Sequence, residues 1–235
     1  MSQDPASPPA PVKPEVTSWG DFATPFYLTH YPGAEKLNQQ LEALILKQEA
    51  EGPPGSNRHA NRHVTSNQVQ IFESHFDLFK DPAAPPCILE LKKFFLFGVF
   101  HAMAETSGYT KEQCEQIRVF TDAWYHVTRK GGYISSHNHP NASWSAVYMV
   151  NRGSESKDLP TGGVLSFKDP RPTANMYWDP GNDRWTRQFH IGSVNHEMKP
   201  GDLMVFPSFV LHEVTPYFGD DPRITIAANC SFKRV

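Results

Sequence analysis

From Gln116 onward the chain breaks into short runs rich in β-branched and aromatic residues, and this rhythm limits the fold more than any other feature. The runs are Ile117–Phe120, Ala123–Val127, Trp144–Val150, Val164–Phe167, Leu203–Phe206 and Ile224–Ala227, each bounded by Gly, Pro, Asn or Asp. Such spacing argues a mostly antiparallel sandwich or barrel. Ahead of it lie two helical patterns. Ala34 to Glu51 carries Leu37, Leu41, Leu44 and Ile45 on one stripe, and Gly52-Pro53-Pro54 ends it. Pro86 to Ser107 has a continuous apolar face through Ile88, Leu91, Phe95, Val99, Ala102 and Met103, and its aromatics Phe94, Phe95, Phe97 and Phe100 read as core packing. Helices first and strands after predict an α+β domain with the two helices buttressing one sheet.

The flanking segments are less regular. Residues 1–17 hold Pro5, Pro8, Pro9, Pro11 and Pro14 and are expected to form a disordered arm, too poor in apolar surface to offset ordering. Asp21 to Leu28 reads as a first strand limited by Pro25, and Val69, Ile71, Phe72, Phe76 and Phe79 mark a buried segment of undecided type. Residues 18–235 then form one domain with its β core from about residue 116. The net charge of −3 leaves no electrostatic footprint for nucleic acid or an anionic membrane, and no apolar run reaches a membrane span. Cys87, Cys114 and Cys230 fit neither a disulfide framework nor a zinc spacing, so a reducing cytoplasm is expected. Nothing sets the oligomeric state, and a homodimer stays open.

The chemistry points to the histidines. In a strand His137 and His139 face the same side. A strand carrying His212 beside them would bring three imidazoles to one ion, and imidazole suits zinc, copper, iron and nickel alike. Two neighbouring histidines in a polar segment are otherwise simply solvated. His59 and His63 follow Gly52-Pro53-Pro54-Gly55 in an Asn/Arg-rich stretch and are set aside as ligands, and His101 is read as structural.

The order Gly131-Gly132-Tyr133, His137-x-His139, Tyr148-Met149-Val150-Asn151, Gly162-Gly163-Val164-Leu165-Ser166-Phe167, Lys199-Pro200-Gly201-Asp202 through Pro207, His212-Glu213-Val214-x-Pro216 and Arg223 resembles the Fe(II)/2-oxoglutarate-dependent oxygenases, particularly their prolyl-hydroxylase-like branch. Phe22-Ala23-Thr24-Pro25 and Asp169-Pro170-Arg171 add to the likeness, which covers nearly everything after residue 20. The resemblance implies a double-stranded β-helix, a jelly-roll or cupin-like core. It also implies Fe(II), 2-oxoglutarate and O₂, with release of succinate and CO₂ as a small molecule or peptide side chain is hydroxylated. Arg223 would hold the distal carboxylate of the keto-acid, because a guanidinium fork matches a carboxylate. Ser145 and Met149 share a strand face and would line the cosubstrate pocket, with Ser145 or His126 replacing a tyrosine hydroxyl that relatives offer near Met149.

One departure stands out. Where the family carries His-x-Asp/Glu, this chain has His139. Three explanations are open: a three-histidine site of His137, His139 and His212; His139 as first ligand with Asn141 in the carboxylate slot, which an anion such as chloride could then fill; or loss of iron. The first is favoured. Between Asp169 and His190 a long connection carries Arg171, Tyr177, Trp178 and Trp185, either a lid over a planar or anionic substrate or a loop pinned to the surface by its tryptophans. A keto-acid-independent three-histidine dioxygenase and an inactive binding module remain alternatives.

Overall fold

The computed structural model describes residues 21–52, 70–156, 162–171, 173 and 176–235. The Pro-rich arm, His59 and His63 lie outside the described residues. Helix α1 (Ala34–Glu51) starts after Gly33 and ends at Gly52, both in the left-handed region. Helix α2 (Pro86–Ser107) begins with Pro86 in the first turn, where a missing N–H costs nothing, and ends at Gly108. A short α3 (Lys111–Glu115) is opened by a capping box between Thr110 and Gln113.

The strands are β1 (Tyr27–His30), β2 (Ile71–Glu73), β3 (Ile117–Thr128), β4 (Ile134–His137), β5 (Trp144–Asn151), β6 (Leu165–Lys168), β7 (Ser193–His196), β8 (Asp202–Pro207), β9 (His212–Val214) and β10 (Arg223–Arg234). They form a six-stranded sheet, β1-β8-β5-β10-β3-β2, and a four-stranded sheet, β4-β9-β6-β7. Every pairing between these strands is antiparallel. The two sheets make the double-stranded β-helix expected of the sequence, with α1 and α2 behind the larger one.

Alternation along the strands sorts side chains into two cores. Ala123, Tyr125 and Val127 of β3, Tyr148 and Val150 of β5, Leu203 and Val205 of β8 and Ile224 and Ile226 of β10 pack outward against Leu41, Ile45, Leu91, Phe95 and Val99 of the helices. The residues between them face inward, where Met149, Met204 and Phe206 meet Ile134, Leu165, Phe167 and Val214 of the smaller sheet. Gly98 lets α2 approach the sheet: a Cβ there would lie 2.8 Å from Leu203 Cδ2. Gly201, at φ +98° in the turn entering β8, leaves room for Ala34 and His30, whose atoms a Cβ would meet at 2.4 and 2.7 Å.

Three expectations shift. The first strand runs over Tyr27–His30, not from Asp21, since Pro25 has no N–H for a ladder. The runs at 117–120 and 123–127 join into the single strand β3, which pairs with β10 along its whole length. Phe97 is 62% exposed and lies outside the core, stacked on Phe94 and His101.

Candidate functional site

The inward faces enclose a cavity of about 40 Å³ between the sheets. From β3 come Trp124 and His126, from β10 Arg223, Thr225, Ala227 and Asn229, and from β5 Ser145 and Val147. The smaller sheet adds Ile134, His137, Leu165, His212 and Val214, and His139 closes the set.

His137 ends β4 and is paired in register with His212, which opens β9. The ring centroids of these two are 4.3 Å apart, and His139 lies 5.0 Å from His137 and 5.1 Å from His212. One nitrogen from each ring falls within 4.8 Å of the others. His139 is not on the strand: β4 stops at His137, and the His139 amide bonds to the Ser208 carbonyl at 2.9 Å. Pro140 explains the break, because it disfavours a continued ladder. The shared facing thus comes from a turn anchored on Ser208, not from strand alternation.

Second contacts orient two of the rings. His137 Nδ1 donates to the Ser135 carbonyl at 2.8 Å and His212 Nδ1 to the Val210 carbonyl at 2.9 Å. That tautomer leaves each Nε2 with a bare lone pair, the form a metal requires. Burial lowers all three imidazoles below their ordinary range, His139 to about 4 and His212 to about 3, and the neighbouring rings add to the shift. At neutral pH the cluster is therefore three uncharged nitrogen donors, a set suited to a dication with open coordination positions.

Arg223 is 2% exposed, and its Nε has no hydrogen-bond partner among the described residues. Burial pulls the guanidinium down to about 10, so it stays charged at neutral pH; the groups that act on it are Tyr217 and the like-charged Arg152. A buried cation without a carboxylate is costly unless an anion arrives. Arg223 lines the same cavity as the three histidines.

The remaining expected residues are dispersed. Ser145 lines the cavity, but its hydroxyl is held by Ser208 Oγ at 2.8 Å and donates to Asn229 Oδ1 at 2.9 Å. Met149 faces the same way yet packs in the inner apolar cluster and is not among the cavity-lining residues. His126 lines the cavity, with Glu73 Oε2 2.7 Å and Trp124 Nε1 3.2 Å from the same Nε2. One nitrogen cannot donate to the carboxylate and accept from the indole; the shorter, charge-assisted contact decides for donation to Glu73. Arg171 is engaged by Asp169 (2.9 and 2.7 Å) and the His190 carbonyl (2.9 Å) and lines a separate groove with Phe22, Phe26 and Phe189. Tyr177, Trp178 and Trp185 are 85%, 54% and 42% exposed, outside the inner cavity. Glu73, Trp124, Thr225 and Asn229 went unnamed in the sequence. For Glu73 the usable signal was one acid beside a buried phenylalanine in Ile71-Phe72-Glu73.

Residues 122–229 match the sequence family described as "Putative 2OG-Fe(II) oxygenase". No curated protein matches the chain by sequence. Solved structures share the fold. A Pseudomonas putida prolyl-4-hydroxylase is 18% identical at a TM-score of 0.54, over 90% of this chain and 94% of that one. A Trichoplax adhaerens prolyl hydroxylase, in complex with a peptide fragment of the hypoxia inducible factor oxygen degradation domain, is 17% identical at 0.52, over 88% and 83%. The epimerase SnoN, in complex with Fe³⁺, alpha ketoglutarate and nogalamycin RO, is 12% identical at 0.53, over 87% and 78%.

Proposed function

We propose that this chain belongs to the Fe(II)/2-oxoglutarate oxygenase superfamily and that it hydroxylates a small molecule or a peptide side chain while converting 2-oxoglutarate to succinate and CO₂. The observation that carries this reading is the meeting of three neutral imidazoles in one cavity with a buried guanidinium whose Nε has no partner among the described residues. Fe(II), 2-oxoglutarate and O₂ are the cofactor and cosubstrates of the superfamily and of this chain. When bound they supply the oxidative decarboxylation that drives the reaction.

Each residue of the chain has a share. His137, His139 and His212 hold the metal. Arg223 binds the distal carboxylate of the keto-acid and so sets its direction in the cavity. Ser145 and His126 lend the wall polar contacts, and Met149 shapes it from behind. The apolar lining of Ile134, Leu165, Phe206 and Val214 keeps water from the reacting centre. Arg171, Tyr177, Trp178 and Trp185 receive the substrate from outside, and residues 18–235 act as one unit. A cytoplasmic site fits three free cysteines, which stay reduced there. The peptide held by the Trichoplax enzyme supports a peptide substrate as one of the two classes.

The buried Arg223 beside the three histidines favours this reading over a dioxygenase that needs no keto-acid. The test is succinate formation from 2-oxoglutarate by the purified protein with Fe(II) and O₂. Turnover that requires all three and vanishes in His212→Ala is expected. A protein that binds Fe(II) and yields no succinate, even uncoupled, would contradict it.

A further inference from the structure

Three neutral imidazoles give a dication no negative charge, whereas the His-x-Asp/Glu arrangement named above supplies one. Acidic residues around the cavity can supply part of that charge. Lys168 already takes Glu213, the acid next to His212, at 2.7 Å. Glu73 is placed differently. Its strand β2 pairs with β3 so that Glu73 stands opposite His126, and its side chain is 12% exposed. Its carboxylate accepts from His126 Nε2 at 2.7 Å, and His126 lines the same cavity as the histidine cluster. Trp124 packs between: its ring meets His126 edge-on at 6.2 Å and His139 at 5.9 Å.

We propose that Glu73, held by His126, is the charge partner of the three-histidine site and stabilises a bound dication across the Trp124 layer. The proposal rests on His137, His139 and His212 being the metal ligands. Glu73 touches neither metal nor substrate and acts as a positioning residue. The Glu73 carboxylate carries the kind of charge that three imidazoles lack. At low local dielectric that charge counts for more than it would in water.

The experiment compares the wild-type protein with Glu73→Gln, Glu73→Asp and His212→Ala, using Co(II) as the probe and then the midpoint potential of bound iron. Glu73→Gln keeps an acceptor for His126 and removes only the charge. It is expected to weaken Co(II) binding roughly tenfold, with the melting temperature of the metal-free protein held. It should also raise the Fe(III)/Fe(II) midpoint, by about 59 mV for each tenfold loss of Fe(III) affinity relative to Fe(II). Glu73→Asp should recover most of both. Wild-type affinity and midpoint in Glu73→Gln, with Co(II) lost in His212→Ala, would overturn the proposal and leave the metal site standing. Equal failure of wild type and His212→Ala to bind Co(II) would overturn both. A loss in Glu73→Gln that Glu73→Asp does not repair, with a lowered melting temperature, would show a brace between β2 and β3 and nothing more.

Discussion

Arg223 shows how a single residue can be expensive for the fold and necessary to the site. It is buried with no anionic partner among the described residues, so the free protein bears the desolvation of a cation. Replacing it by methionine, which fills similar space without charge, should raise the stability of the metal-free protein by about 1 to 4 kcal/mol. The same change should weaken 2-oxoglutarate binding by 2 kcal/mol or more, about 30-fold, and leave metal affinity intact. Denaturant unfolding reads the first effect and keto-acid titration the second. Loss of metal from Arg223→Met would show that its role lies elsewhere. His139 is the other decisive residue. If it completes the triad, His139→Ala lowers Fe(II) affinity by at least tenfold; undiminished affinity would pass the position to Asn141 or to no protein group.

At the scale of elements, punctuation separates what could be read in the sequence from what could not. Both long helices were legible, because a stripe of Leu, Ile and Phe is closed by Gly52 in one and opened by Pro86 in the other. The longer strands were legible from their β-branched and aromatic runs, each bounded by Gly, Pro, Asn or Asp. β7 was not, and β4 and β9 entered only as the supposed carriers of His137 and His212, since three or four residues with polar members such as Ser135, Asn195 and Glu213 carry too little pattern. The three histidines that cluster could be named from the sequence, but the turn that aims His139 depends on Ser208, a residue far along the chain. Glu73 escaped for the same reason: its partner stands on another strand, and only register brings the two together. The turn before β8 offers a direct check. A Cβ at Gly201 would strike Ala34 Cβ at 2.4 Å with the backbone at φ +98°, and neither α1 nor β8 can yield easily. Gly201→Ala should therefore cost about 2 kcal/mol or more, strain and overpacking together, seen as a lowered unfolding midpoint. An unchanged midpoint would mean that α1 is not seated on the turn.

For the whole molecule, the buried rings couple folding to acidity. His139 and His212 titrate near 4 and 3 in the folded protein and near 6.5 when unfolded. Between those values the unfolded chain binds more protons, so stability is complete above about pH 6.5 and falls as pH drops below it. At pH 5 the loss from His212 alone is about 2 kcal/mol. Metal binding by the folded protein should behave otherwise: protons compete for these two nitrogens only near pH 4 and below, and His137 is lowered the same way, so affinity should fall at a lower pH than folding stability does. Affinity that declines steeply through pH 6.5 would mean the rings are hydrated.

The most direct test of the central claim is an anaerobic titration of the protein with Fe(II) and 2-oxoglutarate, followed by visible absorption. Three imidazoles and Arg223 acting on one complex predict a weak charge-transfer band that saturates at one Fe(II) and one keto-acid per chain. The band should be absent in His212→Ala and demand far more keto-acid in Arg223→Met. Fe(II) bound with no band at saturating 2-oxoglutarate, or a band unaffected by either substitution, would contradict the account.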